Sequence, residues 1–294
     1  MTRKRKTDKP MKKIIIAAHK PYAFVHDDLY LPLQVGAKGK DEILDLSTMY
    51  MKDGKAYGET IMRDDIDDNI SDKNHGYCEL TGLYWAWKNL KDADVVGLVH
   101  YRRYFTAKSA VFLHGHEPLR CVLTEGELND LLLQYDILVP KKRVYAIETL
   151  YSHYAHTFDA YQLDKTLPIV HEKYPEYVPF VKKAFGQRWG YMFNMMIMER
   201  KDLEDYCSFL FDILFELEDQ LTRDGYMDGL SDFEARLFGR ISEILFTAWV
   251  LGMRSKGRRI GEVGIVHTEP EDWPKKATAF LNAKFRGRKY GESF

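Results

Sequence analysis

The stretch Asp94-Val-Val-Gly-Leu-Val-His-Tyr-Arg-Arg-Tyr-Phe105 joins a short apolar run to a cluster of cationic and aromatic side chains. Residues 95–99 are apolar and rich in valine, which is the pattern of a strand buried on both faces. The cluster that follows consists of His100, Tyr101, Arg102 and Arg103. Ligands of open α/β sheets bind beyond the carboxyl ends of the strands, and guanidinium groups suit phosphate oxygens. The stretch therefore predicts a central strand that leads into a site for an anionic ligand.

The orientation of the two arginines depends on how far the strand continues. Side chains alternate between the two faces of an extended strand, so His100 and Arg102 would share one face and Tyr101 and Arg103 the other. On that geometry, only one arginine faces the ligand directly. The structural alternative is a surface ion-pair role for both arginines at the sheet edge, but the apolar run that leads straight into the cluster favours the ligand site.

Short apolar runs alternate with amphipathic segments along the rest of the chain, which predicts a single α/β domain with a mostly parallel central sheet. Further strands are expected at residues 13–18, 43–46, 136–139, 195–198 and 264–267. Helices are expected at residues 77–87, 125–135, 165–174, 176–185, 201–221 and 233–251. The helix-rich C-terminal half should pack against the sheet, and residues 145–165, which have no clean period, are expected to form an irregular loop.

The composition describes an ordinary globular protein, since 45% of the 294 residues are hydrophobic and 30% are charged. A net charge of −1 argues against a dedicated nucleic-acid binder. The three cysteines are far apart and form no CxxC pair, so a zinc site or disulfide framework is not expected and a reducing cytosol fits. No apolar run is long enough for a membrane span or a signal peptide. We therefore expect a cytoplasmic protein.

Both ends of the chain are basic, and we expect residues 1–12 and 271–294 to be flexible tails around a domain at residues 13–270. Frayed, solvated termini are the simple explanation. The alternative is attraction to the anionic inner face of the plasma membrane, worth about 1 kcal/mol per basic residue near the headgroups.

The helix expected from Phe233 carries a polar stripe of four residues, Asp232, Arg236, Arg240 and Glu243, at a spacing that stacks them on one face. A solvent-exposed face with ion pairs would explain this pattern. In the functional interpretation, Asp232 at the helix start is a general base. Arg236 or Arg240 would then bind substrate anions or keep Asp232 ionised.

A second candidate base lies in the aromatic segment 145–165. His156 and Asp159 could together deprotonate an acceptor hydroxyl. Tyr154 in the same segment suits a sugar site, because aromatic faces stack on the C–H-rich faces of sugar rings. The alternative is a loop packed on the domain, with its histidines at the surface.

Other candidates lie at the ends of strands and helices. His19 and Lys20 end the first strand, where a nucleotide base and ribose commonly bind in α/β folds. His267 ends the last strand and is either a further diphosphate donor or a capping residue. Asn74 is expected to cap the helix that follows it, and it is also a substrate-binding candidate.

The acidic segment Asp64-Asp-Ile-Asp-Asp68 contains a literal DxD motif, Asp65-Ile-Asp67. Two carboxylates one residue apart can hold a divalent ion that bridges a nucleotide diphosphate. Here the motif follows a polar segment rather than an apolar strand, so a solvated acidic loop is the alternative. Walker A, GxGxxG and GxSxG motifs are absent from the sequence, which removes the simplest grounds for an NTPase, a dinucleotide enzyme or an α/β-hydrolase.

Several segments together carry a family resemblance. The main ones are Ile15-Ile-Ala-Ala-His-Lys20, Tyr77-Cys-Glu-Leu-Thr-Gly-Leu-Tyr-Trp-Ala-Trp-Lys-Asn89, Gly97-Leu-Val-His-Tyr-Arg-Arg-Tyr-Phe105, Asn194-Met-Met-Ile-Met198 and Arg236-Leu-Phe-Gly-Arg-Ile-Ser-Glu243. In these segments, which span roughly residues 13–250, the chain resembles a bacterial family of capsular, exopolysaccharide and O-antigen glycosyltransferases. That family has long been catalogued as a domain of unknown function, and it includes relatives of galactofuranosyltransferases.

The resemblance implies a GT-A-like fold and an inverting transfer from a UDP-sugar to a saccharide acceptor. Galactofuranose is one candidate sugar, and a polyprenyl-diphosphate-linked saccharide is the expected acceptor. The resemblance also implies that His100-Tyr-Arg-Arg103 replaces a metal-binding DxD. Arg102, Arg103 and His267 would then hold the departing diphosphate without a metal cofactor.

Two alternatives remain at this point. One is a metal-dependent glycosyltransferase that uses Asp65 and Asp67. The other is a non-catalytic regulator of polysaccharide assembly that binds a nucleotide or a glycan.

Overall fold

The computed structural model of the protein describes residues 10–25, 27–41, 44, 61–114 and 116–269. The predicted C-terminal tail and the first nine residues of the predicted N-terminal tail lie outside this part of the chain. Lys12, which the sequence assigned to the tail, is the first residue of a buried strand.

Groups of strands alternate with groups of helices along the described residues. The strands are β1 (Lys12–Ala18), β2 (Tyr30–Gln34), β3 (Met62–Arg63), β4 (Val95–His100), β5 (Arg103–Thr106), β6 (Ile137–Pro140), β7 (Arg143–Val144), β8 (Trp189–Gly190), β9 (Met196–Glu199) and β10 (Ile260–His267). The helices are α1 (Asn74–Tyr77), α2 (Leu80–Asn89), α3 (Ala110–Leu113), α4 (Glu125–Gln134), α5 (Leu150–Thr157), α6 (Ala160–Lys173), α7 (Val178–Gly186), α8 (Arg200–Arg223), α9 (Asp232–Ala235) and α10 (Leu237–Ser255).

The main sheet is mixed, with the strand order β3-β2-β1-β4-β5-β10-β6-β9. An additional pairing between β4 and β9 closes β4, β5, β10, β6 and β9 into a ring. Within the described residues, the pairings β3–β2, β2–β1, β1–β4 and β10–β6 are parallel, and the other four are antiparallel. The expectation of a mostly parallel sheet is therefore not confirmed. The chain reverses directly after β4, and β9 runs back between β4 and β6.

Strand β4 lies at the centre of this sheet, as the sequence of residues 94–105 predicts. Its first five residues are buried, and it pairs with β1, β5 and β9. Gly97 permits this close packing, because a Cβ there would lie 2.8 Å from a side-chain carbon of Ile197 and 3.1 Å from the carbonyl oxygen of Met196. The strand therefore fixes where its carboxyl end, and the cationic cluster beyond it, lie in the fold.

Two apolar clusters cover the faces of the sheet. The larger cluster contains α2, α8 and α10, whose aromatic side chains include Tyr206, Phe246 and Trp249. The smaller cluster contains side chains such as Phe24 and Tyr104 on the other face. The helix-rich C-terminal half thus packs on the sheet as expected.

Three sequence-based expectations about helices need correction. The segment 145–165 is not an irregular loop, because it contains α5 and the start of α6. Thr149 begins α5 with a capping box, and the side chain of Asp159 caps α6 by accepting from the backbone N–H of Tyr161. The single helix expected at 77–87 is two helices, α1 and α2, which are separated by Cys78 with a φ of 53°. The single helix expected at 233–251 is also two helices, α9 and α10, which are separated by Arg236. Of the strand expected at 43–46, only Leu44 lies within the described residues, and the second strand of the chain is β2.

Asp64 joins the loop after β2 to α2 through a buried carboxylate. It accepts hydrogen bonds from the backbone N–H groups of Gly36 (2.8 Å) and Ala37 (3.0 Å), and from the hydroxyl groups of Ser71 (2.5 Å) and Thr81 (2.6 Å). Asp64, the first residue of the acidic segment, therefore has a structural role: it fixes the loop after β2 relative to α2.

We expect Asp64→Ala to lower the free energy of unfolding by about 3 to 4 kcal/mol, because four buried donors lose their acceptor. Urea denaturation measures the change. The matched control is Asp65→Ala, which removes a partly exposed ion pair with Arg63 and should cost about 1 kcal/mol or less. Equal losses in the two variants would contradict the structural role of Asp64.

Candidate active site

A pocket of about 540 Å³ opens at the carboxyl ends of β1 and β4. Nine of its lining residues were site candidates from the sequence: His19, Asn74, His100, Tyr101, Arg102, Arg103, Asp232, Arg236 and Arg240. Eight further residues complete the wall: Ala17, Val35, His75, Cys78, Glu79, Phe193, Gly239 and Glu243. The fold therefore gathers residues from β1, β4, β5, α1, α9 and α10 around one cavity.

Both Arg102 and Arg103 line the pocket, whereas the sequence led us to expect that only one of them would face it. Strand β4 ends at His100, and the chain turns through Tyr101 and Arg102 before β5 begins at Arg103. The alternation of an extended strand does not apply to a turn. The guanidinium of Arg102 pairs with Glu269 at 3.1 Å, and that of Arg103 lies over the ring of Phe193, 4.5 Å from its centroid.

Two further arginines come from the start of α10. The Nε of Arg236 donates to the Sγ of Cys78 at 3.3 Å. Arg240 donates to the carbonyl oxygen of Phe233, and its guanidinium lies 4.1 Å from the ring centroids of both Phe158 and Phe233. Burial lowers the pKa of Arg240 to about 10, so this arginine is still cationic at neutral pH.

The close approach of α10 to the α1–α2 junction depends on a glycine. A Cβ on Gly239 would lie 3.3 Å from both the Cβ and the Sγ of Cys78, so a larger residue would press on the junction. Asn74 stabilises the same junction by donating from Nδ2 to the carbonyl oxygen of Cys78 (2.7 Å) and to the hydroxyl of Thr81 (3.1 Å). Asn74 is the first residue of α1, and its side chain does not cap that helix.

His19 and Tyr101 form the aromatic side of the pocket. Their rings meet edge to face with centroids 5.2 Å apart. Burial lowers the pKa of His19, and the charges of Lys20 and Arg102 act in the same direction, so the imidazole is predominantly neutral at pH 7. The Nζ of Lys20 lies 5.6 Å from the centroid of the Tyr101 ring, although Lys20 does not line the pocket.

The structure does not bring four other candidates to the pocket. His156 contacts Glu148 through Nδ1 at 2.8 Å, and Asp159 accepts from the hydroxyl of Tyr226 at 2.8 Å while capping α6. Tyr154 is buried and donates to Gln162. His267 lies opposite Arg103 in the pairing of β10 with β5 and does not line the pocket. The roles predicted for His156 and Asp159 assumed an irregular loop, which the helices α5 and α6 replace.

Asp232 lies at the rim of the pocket. It begins α9, as the sequence predicts for a helix start, and its side chain is fully exposed. Its Oδ1 is 3.3 Å from the Nε2 of His75. A carboxylate at this position is surrounded by solvent on most sides.

The DxD motif lies away from this pocket. The carboxylate of Asp65 is bound by both Nε (3.0 Å) and Nη2 (2.8 Å) of Arg63, and this pair lowers the pKa of Asp65. Neither Asp65 nor Asp67 lines the pocket. In the described part of the chain, no group of three or more His, Cys, Asp or Glu side chains is arranged to hold a metal ion.

A strained turn at Phe193 and Asn194 contributes to the floor of the pocket. Both residues have left-handed backbone conformations, with φ values of 74° and 50°, which non-glycine residues rarely adopt. The N–H of Phe193 donates to Oε1 of Glu243 at 2.6 Å, and its carbonyl oxygen is 2.5 Å from Nε2 of His100. Asn194 donates from Nδ2 to Glu79 (2.7 Å). Polar groups of β4, of α10 and of Glu79, the residue before α2, therefore hold this turn.

The floor also contains groups with perturbed protonation. Burial raises the pKa of Glu243 to about 7, the hydrogen bond from Phe193 opposes this, and the charge of Glu79 adds to it. Burial lowers the pKa of His100, although Glu79 and the bond to Phe193 act in the other direction. The pocket thus combines a group of arginines with a carboxyl group that titrates near neutral pH, which is typical of active sites.

Two comparisons with known proteins find matches for this chain. The model of the family described as Domain of unknown function (DUF4422) matches residues 13–254. The chain is also similar to the apo structure of WbbM, a bifunctional glycosyltransferase, with a TM-score of 0.74 and 28% sequence identity over 90% of this chain. The match covers 46% of the WbbM chain, so this chain spans less than half the length of that protein. No curated protein matches the chain.

Proposed function

This chain belongs to the DUF4422 family, and we propose that it is a glycosyltransferase of surface-polysaccharide assembly with a GT-A-like fold. The proposed donor is a UDP-sugar, with galactofuranose as the candidate sugar, and the transfer inverts the anomeric centre. The proposed acceptor is a saccharide linked to polyprenyl diphosphate. The similarity to WbbM, a bifunctional glycosyltransferase, supports sugar transfer as the reaction class.

The observation that carries this proposal is the convergence of four arginines on one pocket at the carboxyl ends of β1 and β4. Arg102 and Arg103 come from the β4–β5 turn, and Arg236 and Arg240 come from the start of α10. A departing nucleoside diphosphate gains negative charge as its bond to the sugar breaks, and fixed cations stabilise that charge. The volume of about 540 Å³ suits a small-molecule substrate.

The residues around the arginines suit the remainder of the donor. His19 lies at the end of β1, a position at which nucleosides bind in α/β folds. Its neutral imidazole can both donate and accept a hydrogen bond. Tyr101 offers an aromatic edge beside it. We propose that His19 and Tyr101 contact the nucleoside, that the arginines hold the diphosphate, and that Asn74 lies near the transferred sugar.

The position in the cell is also a proposal. Among the described residues, no helix has both the length and the apolar character that crossing a membrane requires. We propose that the protein works in the cytoplasm and that its basic termini hold it at the inner membrane face, close to a lipid-linked acceptor.

We further propose that the transfer does not depend on a metal ion. Fixed guanidinium groups supply the positive charge that a divalent ion provides in other glycosyltransferases. The metal-dependent alternative requires Asp65, but both oxygens of that carboxylate are bound by Arg63. We expect transfer from a radiolabelled UDP-sugar to continue at an undiminished rate in EDTA and in Asp65→Asn. Loss of activity in both would favour the metal-dependent enzyme.

The donor can be identified by thermal shift and product formation together. A nucleotide sugar at about a hundred times its Kd stabilises the protein by about 2.7 kcal/mol, so the donor should raise the Tm. Product formation with the same nucleotide sugar would support the enzyme. Stabilisation without transfer or hydrolysis, across a panel of saccharide acceptors, would instead favour the regulator that binds nucleotides or glycans.

A further inference from the structure

An inverting sugar transfer needs a base that removes the proton of the acceptor hydroxyl. Three carboxylates line the pocket: Glu79, Asp232 and Glu243. Asp232 is fully exposed at the rim, where water competes for every contact. Glu79 and Glu243 are partly buried at the floor, so the choice depends on how each of these two carboxylates is held.

The contacts of Glu243 leave one oxygen available. Its Oε1 accepts from the N–H of Phe193 at 2.6 Å, which fixes the carboxylate plane. Within the described residues, no hydrogen bond is made to its Oε2. Glu79 also has one bound oxygen, since its Oε1 accepts from the Nδ2 of Asn194 at 2.7 Å and, among the described residues, its Oε2 accepts no hydrogen bond. The two carboxylates differ in what binds them. Glu79 holds a side chain of the turn, whereas Glu243 is bound by the backbone N–H of the turn itself and is therefore positioned by the conformation of the turn.

The turn that holds Glu243 is strained, and that strain requires compensation. Two consecutive left-handed residues cost about 1 to 3 kcal/mol each, and such strain persists mainly where neighbouring groups fix the conformation. Here the conformation directs the Phe193 N–H to Glu243 and its carbonyl oxygen to His100. It also places the Phe193 ring against Arg103. One turn therefore orients both an acid–base group and a cation of the diphosphate site.

We infer that Glu243 is the general base of the proposed transfer and that the Phe193–Asn194 turn positions it; this inference rests on the proposed function. The Oε2 of Glu243 accepts the proton of the acceptor hydroxyl. At the same time, the oxygen of that hydroxyl forms its bond to the anomeric carbon of the donor sugar. The bond from the anomeric carbon to the diphosphate oxygen breaks, and the electron pair leaves with UDP. Glu243 then releases the proton to solvent.

Charged and titratable groups from several elements surround Glu243. Glu79 beside α2, Arg103 on β5, Arg143 on β7 and Arg240 on α10 act on it through their charges. His100 on β4 holds the other side of the Phe193 peptide, and Tyr154 on α5 and Tyr206 on α8 are also close enough to interact. Burial keeps the pKa of the carboxyl at about 7, which suits a base that works near neutral pH.

The test is the variant Glu243→Gln, whose amide oxygen can still accept from Phe193. We expect kcat to fall by at least a hundredfold, with the Tm shift on UDP binding unchanged, because general-base catalysis contributes about 10² to 10⁴ in rate. The wild-type rate should rise with pH up to about 7, and the variant should lack this rise. Glu172→Gln, at an exposed carboxylate of α6 outside the pocket, is the matched control and should keep both the rate and the pH dependence. Asp232→Asn tests the rival carboxylate at the rim.

The possible outcomes distinguish a failure of the role assigned to Glu243 from a failure of the proposed glycosyltransferase function. Glu243→Gln that transfers sugar within tenfold of the wild type, or that keeps the rise with pH, overturns the role of Glu243 and leaves the proposed function standing. If Asp232→Asn instead lowers kcat by a hundredfold or more, and the remaining rate no longer rises with pH, the base is Asp232 and the inference is overturned. A wild-type protein that neither binds nor transfers any UDP-sugar overturns the proposed function and the inference with it.

Glu243→Gln has a second signature that does not require substrate. The pKa of Glu243 is higher in the folded protein than its ordinary value of 4.5, so the folded state binds more protons between pH 4.5 and 7. The stability from this group is therefore present below about pH 4.5 and is lost as the pH rises through 7. Relative to the wild type, the variant should gain stability as the pH rises across this window. A pH-independent difference would contradict the burial of an ionisable group at this position.

Discussion

Replacing Arg103 by alanine is expected to lower kcat/KM for sugar transfer by about a hundredfold to a thousandfold. This is the effect of removing one preorganised group that stabilises a developing negative charge. Arg103 lines the pocket and lies over the Phe193 ring, so its position is fixed before the donor binds. The guanidinium then needs little rearrangement as charge builds on the leaving diphosphate.

Arg102 provides an internal comparison, because it lines the same pocket in a different environment. Its side chain is 38% exposed, and it pairs with Glu269, which is 40% exposed. Water and the carboxylate both weaken the interaction of Arg102 with a bound anion. We therefore expect Arg102→Ala to lower kcat/KM by about tenfold, which is clearly less than the loss in Arg103→Ala.

The control for charge removal is Arg120→Ala, since Arg120 is exposed and lies outside the pocket. Initial rates with a radiolabelled donor measure all three variants. Arg103→Lys should recover only part of the lost rate, because an ammonium lacks the planar fork of the guanidinium. Arg103→Ala with the same kcat/KM as Arg120→Ala would show that the leaving group is stabilised elsewhere.

The central strand and the site beyond it could be predicted from the sequence because both depend on local pattern. The apolar run at Val95–His100 has to be buried, and a buried strand has to end at a sheet edge. The amphipathic stretches that became α4, α8 and α10 were predicted for the same reason. Their boundaries differ from the expected ones by only a few residues at most ends.

The mixed sheet could not be predicted, because it depends on long-range pairing. Strand β9 lies between β4 and β6 although about 100 residues separate it from β4 along the chain. Helix α5 and the first turn of α6 were missed for a local reason, whereas the helix expected at 165–174 covers the rest of α6. The aromatic and histidine residues of the missed segment obscure the helical period, and the capping groups of Thr149 and Asp159 carry the signal instead.

The walls of the site could be predicted better than its floor. Arg102, Arg103 and Arg236 stand out as cations next to apolar runs. Phe193 and Glu243 do not, because a phenylalanine before an asparagine gives no indication of two consecutive left-handed residues. Glu243 was visible only as part of a helical stripe, and its role depends on contacts made by folding.

The second large effect is expected at Asn194, where alanine should lower the free energy of unfolding by about 3 to 5 kcal/mol. Asn194 is fully buried, and it donates to Glu79 (2.7 Å) and to the carbonyl oxygen of Gly239 (2.9 Å) and accepts from Ser242 (2.8 Å). Each buried partner left without its hydrogen bond costs about 1 to 3 kcal/mol. Alanine also tolerates the left-handed conformation less well than asparagine does. Urea denaturation measures the loss.

Two further variants at this position separate the contributions. Asn194→Gly loses the same hydrogen bonds but accepts a φ of 50° without strain, so it should be less destabilised than Asn194→Ala by about 1 kcal/mol. Equal losses would show that the backbone conformation contributes nothing.

Asn194→Asp replaces the donor that faces Glu79 with a second carboxylate, and like charges at hydrogen-bonding distance repel strongly when buried. Its stability should therefore fall further at pH 8 than at pH 5. A loss independent of pH would mean that Glu79 turns away, and that the turn holding Glu243 does not require the bond from Asn194.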